Sequence, residues 1–220
     1  MLTSEIAAFA CAKIRLEDAD TLAQALKFTR FRWANLWDDS DWRQARHAQT
    51  VAVAAGVQDV TLDADFGLVQ ACRWGADIEL PVLSERSQLA ADPAAQERSG
   101  TPAGFIVLPK EAGICRVRLV PIPQVDGDLL VLGKRKCPTL ADSDEPPLPG
   151  ASETLAAFVE GDLWRSVFRQ FSKAQACYEE ANALLARMRD LENRQSQQGW
   201  RLVPLCEPMG GADDWGLSKS

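Results

Sequence analysis

Histidine is almost absent from this chain: His47 is the only one in 220 residues. It follows Arg46 with no cysteine or acid at ligand spacing, so a Ser-His-Asp or Cys-His pair could form only through it. No GxSxG elbow presents a nucleophile, and neither GxxxxGK[ST] nor GxGxxG is present to cradle a phosphate. The six cysteines, Cys11, Cys72, Cys115, Cys137, Cys177 and Cys206, are scattered without a CxxC pair, which leaves no zinc pattern. Apolar runs are too short to cross a bilayer, and the opening residues Thr3-Ser4-Glu5 do not read as a signal peptide. Basic excess is also missing. With a net charge of −7, a tight sequence-independent grip on nucleic acid is disfavoured. These absences predict no catalytic residues, no metal, no cofactor and no membrane span, in a chain made in a reducing cytoplasm.

The acidic groups Asp63/Asp65, Asp126/Asp128 and Asp142/Asp144/Glu145 are the remaining candidates for a hard cation. None matches an EF-hand loop, and each sits where turns use aspartate for backbone hydrogen bonds. The turn reading is the preferred one.

What is present is a change of period along the chain. Helical spacing marks residues 3–15 and 21–37, the second with Thr21 and Gln24 at capping-box spacing after Asp18 and Asp20. The acidic cluster Asp38-Asp39-Ser40-Asp41 ends it. From residue 50 to 136 the period becomes two, predicting strands near 51–53, 57–62, 66–74, 78–83, 105–108, 114–120 and 129–132. Cys115, Val117 and Leu119 alternate with Arg116 and Arg118, as a half-buried strand does. Asp126-Gly127 reads as a hairpin turn. Residues 88–100 form a polar, alanine-rich excursion.

After the Pro- and Gly-rich stretch that ends at Gly150, helical spacing runs without a proline over 152–195. Its stripe includes Leu155, Val159, Leu163, Val167, Phe171, Ala174, Tyr178, Ala181, Leu185, Met188 and Leu191, and Gly161 is its one weak point. A single helix of that length would be roughly 60–65 Å long. It would need partners beyond its own chain, most simply further copies of itself.

The predicted fold class is α+β: a helical bundle with a long C-terminal helix, an inserted small antiparallel β-domain and an extended C-terminal tail. The segments are 1–46 for the N-terminal helices, 47–137 for the β-domain, 138–151 for a linker, 152–196 for the long helix and 197–220 for the tail. Trp42, Trp164, Phe171 and Tyr178 are candidates for a subunit interface, where aromatics are enriched. For Trp33, Trp37 and Trp42 the competing reading is a staple between the terminal helices. Trp200, Leu202, Val203, Leu205, Trp215 and Leu217 are apolar islands in a Gly- and Pro-containing tail, and point to a partner. Arg116, Arg118, Lys134, Arg135 and Lys136 form either a basic patch or a solvated, subunit-bridging face.

Several segments resemble those of one family. Phe31-Arg32-Trp33-Ala34-Asn35-Leu36-Trp37 with Asp41-Trp42 is similar to the end of the second helix in head-to-tail adaptor (connector) proteins of tailed bacteriophages, especially short-tailed ones. The segment from Arg116 to Pro123 resembles their strand ending in Pro-x-Pro. Residues 140–149 resemble their linker, and Gly161-Asp162 with Phe171 and Ala174 their long helix. The resemblance spans about 21–195 and implies a structural virion protein, not an enzyme. It implies a twelve-fold ring in the neck between capsid and tail, bound to the portal protein on one side and a tail or nozzle protein on the other. Genomic DNA would pass through without specific binding. The tail residues would then dock on the portal. The alternative from the residues alone is an intracellular β-sandwich binding module with a coiled-coil dimerisation helix.

Overall fold

A computed structural model describes residues 1–16, 18–84 and 97–200, the side chains of 196–200 excepted. Two helices, α1 (Thr3–Ile14) and α2 (Ala19–Asp39), open the chain, and a 3-10 turn (Arg43–Ala45) leads into the strands. Nine strands follow among the described residues: β1 (Arg46–Val53), β2 (Asp59–Thr61), β3 (Phe66–Trp74), β4 (Ile78–Leu80), β5 (Ser99–Gly100), β6 (Gly104–Glu111), β7 (Ile114–Val120), β8 (Ile122–Pro123) and β9 (Gly127–Arg135). Two further helices, α3 (Ala151–Ser166) and α4 (Phe171–Trp200), complete the described residues.

The strands build a four-stranded sheet in the order β1-β9-β3-β4 and a three-stranded sheet in the order β2-β7-β6, both antiparallel; β5 and β8 add a short parallel pair. Side chains of both larger sheets share one apolar core that contains Phe66, Phe105, Val117, Leu119, Leu129 and Val131, each fully buried. The alternation expected for β7 holds: Cys115, Val117 and Leu119 point inward while Arg116 and Arg118 stay partly exposed. Gly133 is needed where β9 crosses the bulged β3, because a Cβ there would lie 2.1 Å from the Leu68 carbonyl oxygen. Asp126-Gly127 does not close a hairpin. β7 and β9 lie in different sheets, and the Asp126 carboxylate instead accepts the Ala55 N–H at 2.8 Å. The excursion at 88–100 lies mostly outside the described residues, and its end supplies β5.

Asp18 starts α2, accepting the Thr21 N–H at 2.9 Å and the Thr21 hydroxyl at 2.7 Å. Thr21 is therefore inside the first turn and not the cap. The proline-rich segment before α3 is packed, not loose. Leu140 and Leu148 are buried, and the carbonyls of Asp144 and Asp142 accept the Thr3 and Ser4 N–H groups that begin α1.

The continuous helix expected over 152–195 is divided in two. α3 stops at Ser166, Arg169 turns left-handed with φ 53°, and the Gln170 N–H reaches back 2.9 Å to the Trp164 carbonyl. α4 then folds back along α3. A left-handed L-residue costs roughly 1–2 kcal/mol, and no glycine or proline announces the turn. Packing outweighs that cost. α3 lies centrally against α1, α2 and α4, and Ala151, Leu155, Ala156, Ala157, Val159, Gly161 and Leu163 bury almost its whole circumference. α4 buries one face only, through Ala174, Cys177, Ala181, Leu185 and Met188. It remains a long C-terminal helix, 30 residues in all.

Helices and sheets meet at the end of α2. Lys134 of β9 is 7% exposed, and its ammonium donates to the carbonyls of Trp37 and, at 2.8 Å, Ser40. A cation there offsets the negative pole of the helix C-terminus. In the opposite direction the Trp37 indole N–H donates to the Arg135 carbonyl at 3.0 Å.

Candidate assembly and docking surfaces

The three tryptophans near the end of α2 lie inside their own chain. Trp33, Trp37 and Trp42 are each 2% exposed and join one core with Ile6, Leu140, Leu155, Leu185 and Met188. Each indole N–H has a backbone acceptor, Trp33 on Pro138 at 2.9 Å and Trp42 on Leu36 at 2.7 Å, besides Trp37 on Arg135. They staple the terminal helices, and Trp42 keeps no open ring face in this conformation.

A second set of residues fixes the crossing of α2, α3 and α4. Arg32 grips Asp162 with two hydrogen bonds of 2.7 and 2.6 Å, and the Tyr178 hydroxyl donates to the same carboxylate at 2.8 Å. The guanidinium lies 4.9 Å from the Phe158 ring centre and 5.4 Å from that of Tyr178. Its bond to Asp162 raises the pKa of Arg32, while burial and the same carboxylate raise that of Tyr178. Gly161 makes room for this arrangement, because a Cβ there would meet the Tyr178 ring at 2.6 Å. Sequence reasoning missed Arg32 and Asp162 as a pair, although both stand in the motifs quoted for the family. Nothing in their spacing ties residue 32 to residue 162.

Farther along α4, Arg189 forms a bidentate pair with Asp39, and Glu192 accepts the Arg43 N–H at 2.8 Å. Near the turn between α3 and α4 Trp164 is half-buried, its ring tilted against Phe168 with centres 4.8 Å apart and the Lys173 ammonium 4.2 Å from its ring centre. Phe171 is 67% exposed. Of the four interface candidates, Trp164, Phe171 and Tyr178 thus share the α3–α4 hairpin, while Trp42 stands apart near the outer part of α4. The side chain of Trp200, and all of Leu202, Val203, Leu205, Trp215 and Leu217, lie outside the described residues.

The basic strand residues do not form one patch. Arg118 and Arg116 pair with Asp59, Arg116 also with Glu111, and Lys134 is buried beneath α2; Arg135 and Lys136 are exposed. The Arg118 hydrogen bond holds the Asp59 carboxyl below the usual range. The His47 ring lies tilted against Phe66, centres 4.7 Å apart, and its Nε2 is buried without a hydrogen-bond partner among the described residues. Asp126 and Asp144 spend their carboxylates on backbone N–H groups, as turn residues do, and Asp142 pairs with Arg30. Burial pushes the Cys72 thiol to about 12 and those of Cys137 and Cys177 to about 11, values that suit inert packing groups. Among the described residues no group of three or more His, Cys, Asp or Glu side chains is placed to hold a metal ion.

A family model described as SU10 adaptor protein matches residues 2–204. The chain belongs to that family. No curated protein matches it. The match covers nearly the whole chain and makes it a phage adaptor protein, a family that implies portal and tail proteins as partners and the virion neck as its place. No described helix is long and apolar enough to cross a membrane. In this adaptor the quoted motifs have clear structural duties. Arg32 and Gly161-Asp162 set the helix crossing, the tryptophans close the helical core, and the linker covers the start of α1.

Proposed function

We propose that this adaptor forms a closed, twelve-fold ring that joins the portal vertex to the tail and lines part of the DNA conduit. The match to the adaptor family over residues 2–204 carries the reading. A closed ring needs a heterologous contact, one face of a subunit against a different face of its neighbour. The exposed side of the α3–α4 hairpin, with Phe171, is the first face, and the sheet edges supply the second. The net charge of −7 suits a conduit, because a lumen that repels phosphates lets the duplex slide without accumulating contacts. Trp200, Leu202, Val203, Leu205, Trp215 and Leu217 dock on the portal, repeated around the ring so that weak contacts add. The tail or nozzle protein binds the opposite side. A coiled-coil dimer is disfavoured, since Ala174, Ala181, Leu185 and Met188 of α4 are buried within their own chain.

Native mass measurement with portal protein tests this reading. The expected result is a closed ring on the portal, formed from a chain that is monomeric or weakly associated alone. A compact dimer that ignores the portal would sink it. Deleting residues 199–220 should keep the circular dichroism of the folded body and abolish portal binding; full-strength binding by the truncated chain would move docking to the helices.

A further inference from the structure

β9 carries opposite charge around its two ends: Asp126 and Asp128 near its start, Lys134, Arg135 and Lys136 near its finish. Folding turns that pattern into two shaped surfaces. At the finish, Lys110, Arg135 and Lys136 line a groove of about 430 Å³ that also holds Leu68, 53% exposed. Of the acids nearby, Asp38 lines the groove, Glu111 is taken up by Arg116, and Asp65 stands outside the lining. Arg135 and Lys136 have no carboxylate partner among the described residues, whereas the exposed Arg30, Arg46 and Arg189 are each paired. In a chain with a net charge of −7, open cations gathered beside an exposed leucine are a surface without its counterpart.

The far end of the sandwich has the opposite character. There the 123–128 loop is tied to the 54–57 turn: the Asp126 carboxylate accepts the Ala55 N–H, and the Gly56 N–H donates to the Pro123 carbonyl, both at 2.8 Å. The Gly75 N–H donates to the Asp128 carbonyl at 2.8 Å, which brings Asp77 close. The tip so formed presents Val125, 63% exposed, flanked by Asp126 and Asp128; Arg98, beside Ile122, is already engaged. We propose that the Val125 tip of each sandwich seats in the Leu68 groove of a second copy of this chain. Apolar side chains then meet at the centre of the contact, with the acids of one copy among the cations of the other. The tip is held by its own backbone bonds before contact, which lowers the ordering cost. Tip on groove is a heterologous contact, and it closes into a ring when the rotation allows. At about 3.3 Å per residue, β9 from Gly127 to Arg135 sets tip and groove about 26 Å apart, and twelve such steps close a circle roughly 100 Å across, wide enough to surround a duplex. The proposal rests on the ring reading and gives the sandwiches a contact of their own within it.

Charge reversal on separate chains tests the contact. The groove variant carries Arg135→Glu/Lys136→Glu and the tip variant Asp77→Lys/Asp128→Lys; all four side chains are exposed, so circular dichroism should match the unchanged chain. Each is assembled on portal protein, alone and as an equimolar mixture, and the ring fraction is weighed by native mass measurement. Alone, each variant sets like charges against each other at every contact, and its ring yield should fall at least about tenfold. Mixed, an acidic groove accepts only a basic tip and a basic groove only an acidic one. The mixture should therefore regain the yield of the unchanged chain, in rings that contain the two variants in equal numbers. A change that acted only within its own chain would not be mended by a second chain. Full yield from either variant alone, or no recovery in the mixture, overturns the contact and leaves the ring reading standing. Failure of the groove variant alone, with the tip variant assembling normally, also overturns it and gives the cations to the portal, or to DNA if duplex binding is lost with them. Absence of any ring from the unchanged chain overturns both readings.

Discussion

The sandwich and the helical layer are held together by different means. The shared core of the two sheets is entirely apolar, and its charges, such as Arg118 with Asp59, stay on the outer face. In the helical layer directed polar bonds run between elements: Arg32 and Tyr178 on Asp162, indole N–H groups on carbonyls, Arg189 on Asp39. An apolar core sets how much area is buried but tolerates alternative packings. Directed bonds set which residue faces which, so the helix crossings have one solution. In the proposed ring, where each subunit would repeat the same contact, that fixed geometry in the helices would be an advantage.

Substitutions can test this contrast. Trp33→Ala should cost the most, about 3–5 kcal/mol, since it empties a fully buried ring site and orphans the Pro138 carbonyl; urea unfolding measures it. Asp162→Asn leaves Arg32 half-buried without its counter-charge and should cost about 2 kcal/mol, reduced from the fully buried case by solvent screening. A loss below about 0.5 kcal/mol would mean that the crossing is set by packing alone. Acid should come next. Asp59 is held below its ordinary pKa by Arg118; at Asp39 burial pushes upward, but the Arg189 and Ser40 hydrogen bonds outweigh it and the net shift is also downward. Both therefore contribute stability that is present above the unfolded carboxylate range, and it is lost as pH falls through the lower folded values. Melting temperature should drop from about pH 5 downward, and less steeply in Asp39→Asn than in the unchanged chain. The smallest effect belongs to the sandwich: Leu129→Met, a volume-conserving change in the apolar core, should cost under about 1.5 kcal/mol.

The same contrast decides what the sequence can tell. In β7 the alternation of apolar and polar residues reports burial directly, because each face of the strand meets one environment, whereas the bulges of β3 leave its apolar Leu68 exposed. α2 is legible for a similar reason, its tryptophans marking the inner face. The division between α3 and α4 is not legible, since periodicity describes a face and not the place where tertiary packing bends the chain. In sequence Lys134 is one cation among five on or near adjacent strands; only the distant end of α2 makes it an internal group. Trp42 suits an interface and a staple equally, and its burial comes from α4 and the linker, both far away in the sequence. Phe171 stands out as an aromatic on the stripe, and its exposure follows from the turn just before it.

The junction at Lys134 has a mechanical meaning. The ammonium of β9 holds two carbonyls at the end of α2, and the Trp37 indole of α2 holds a carbonyl of β9, so bonds run both ways across one joint. A single pivot would let the sheets swing beneath the helices; opposed bonds resist both twist and separation. The sandwich therefore acts as a lever clamped to α2, and a load on its far edge arrives at the helix crossing as torque instead of dissipating in a hinge.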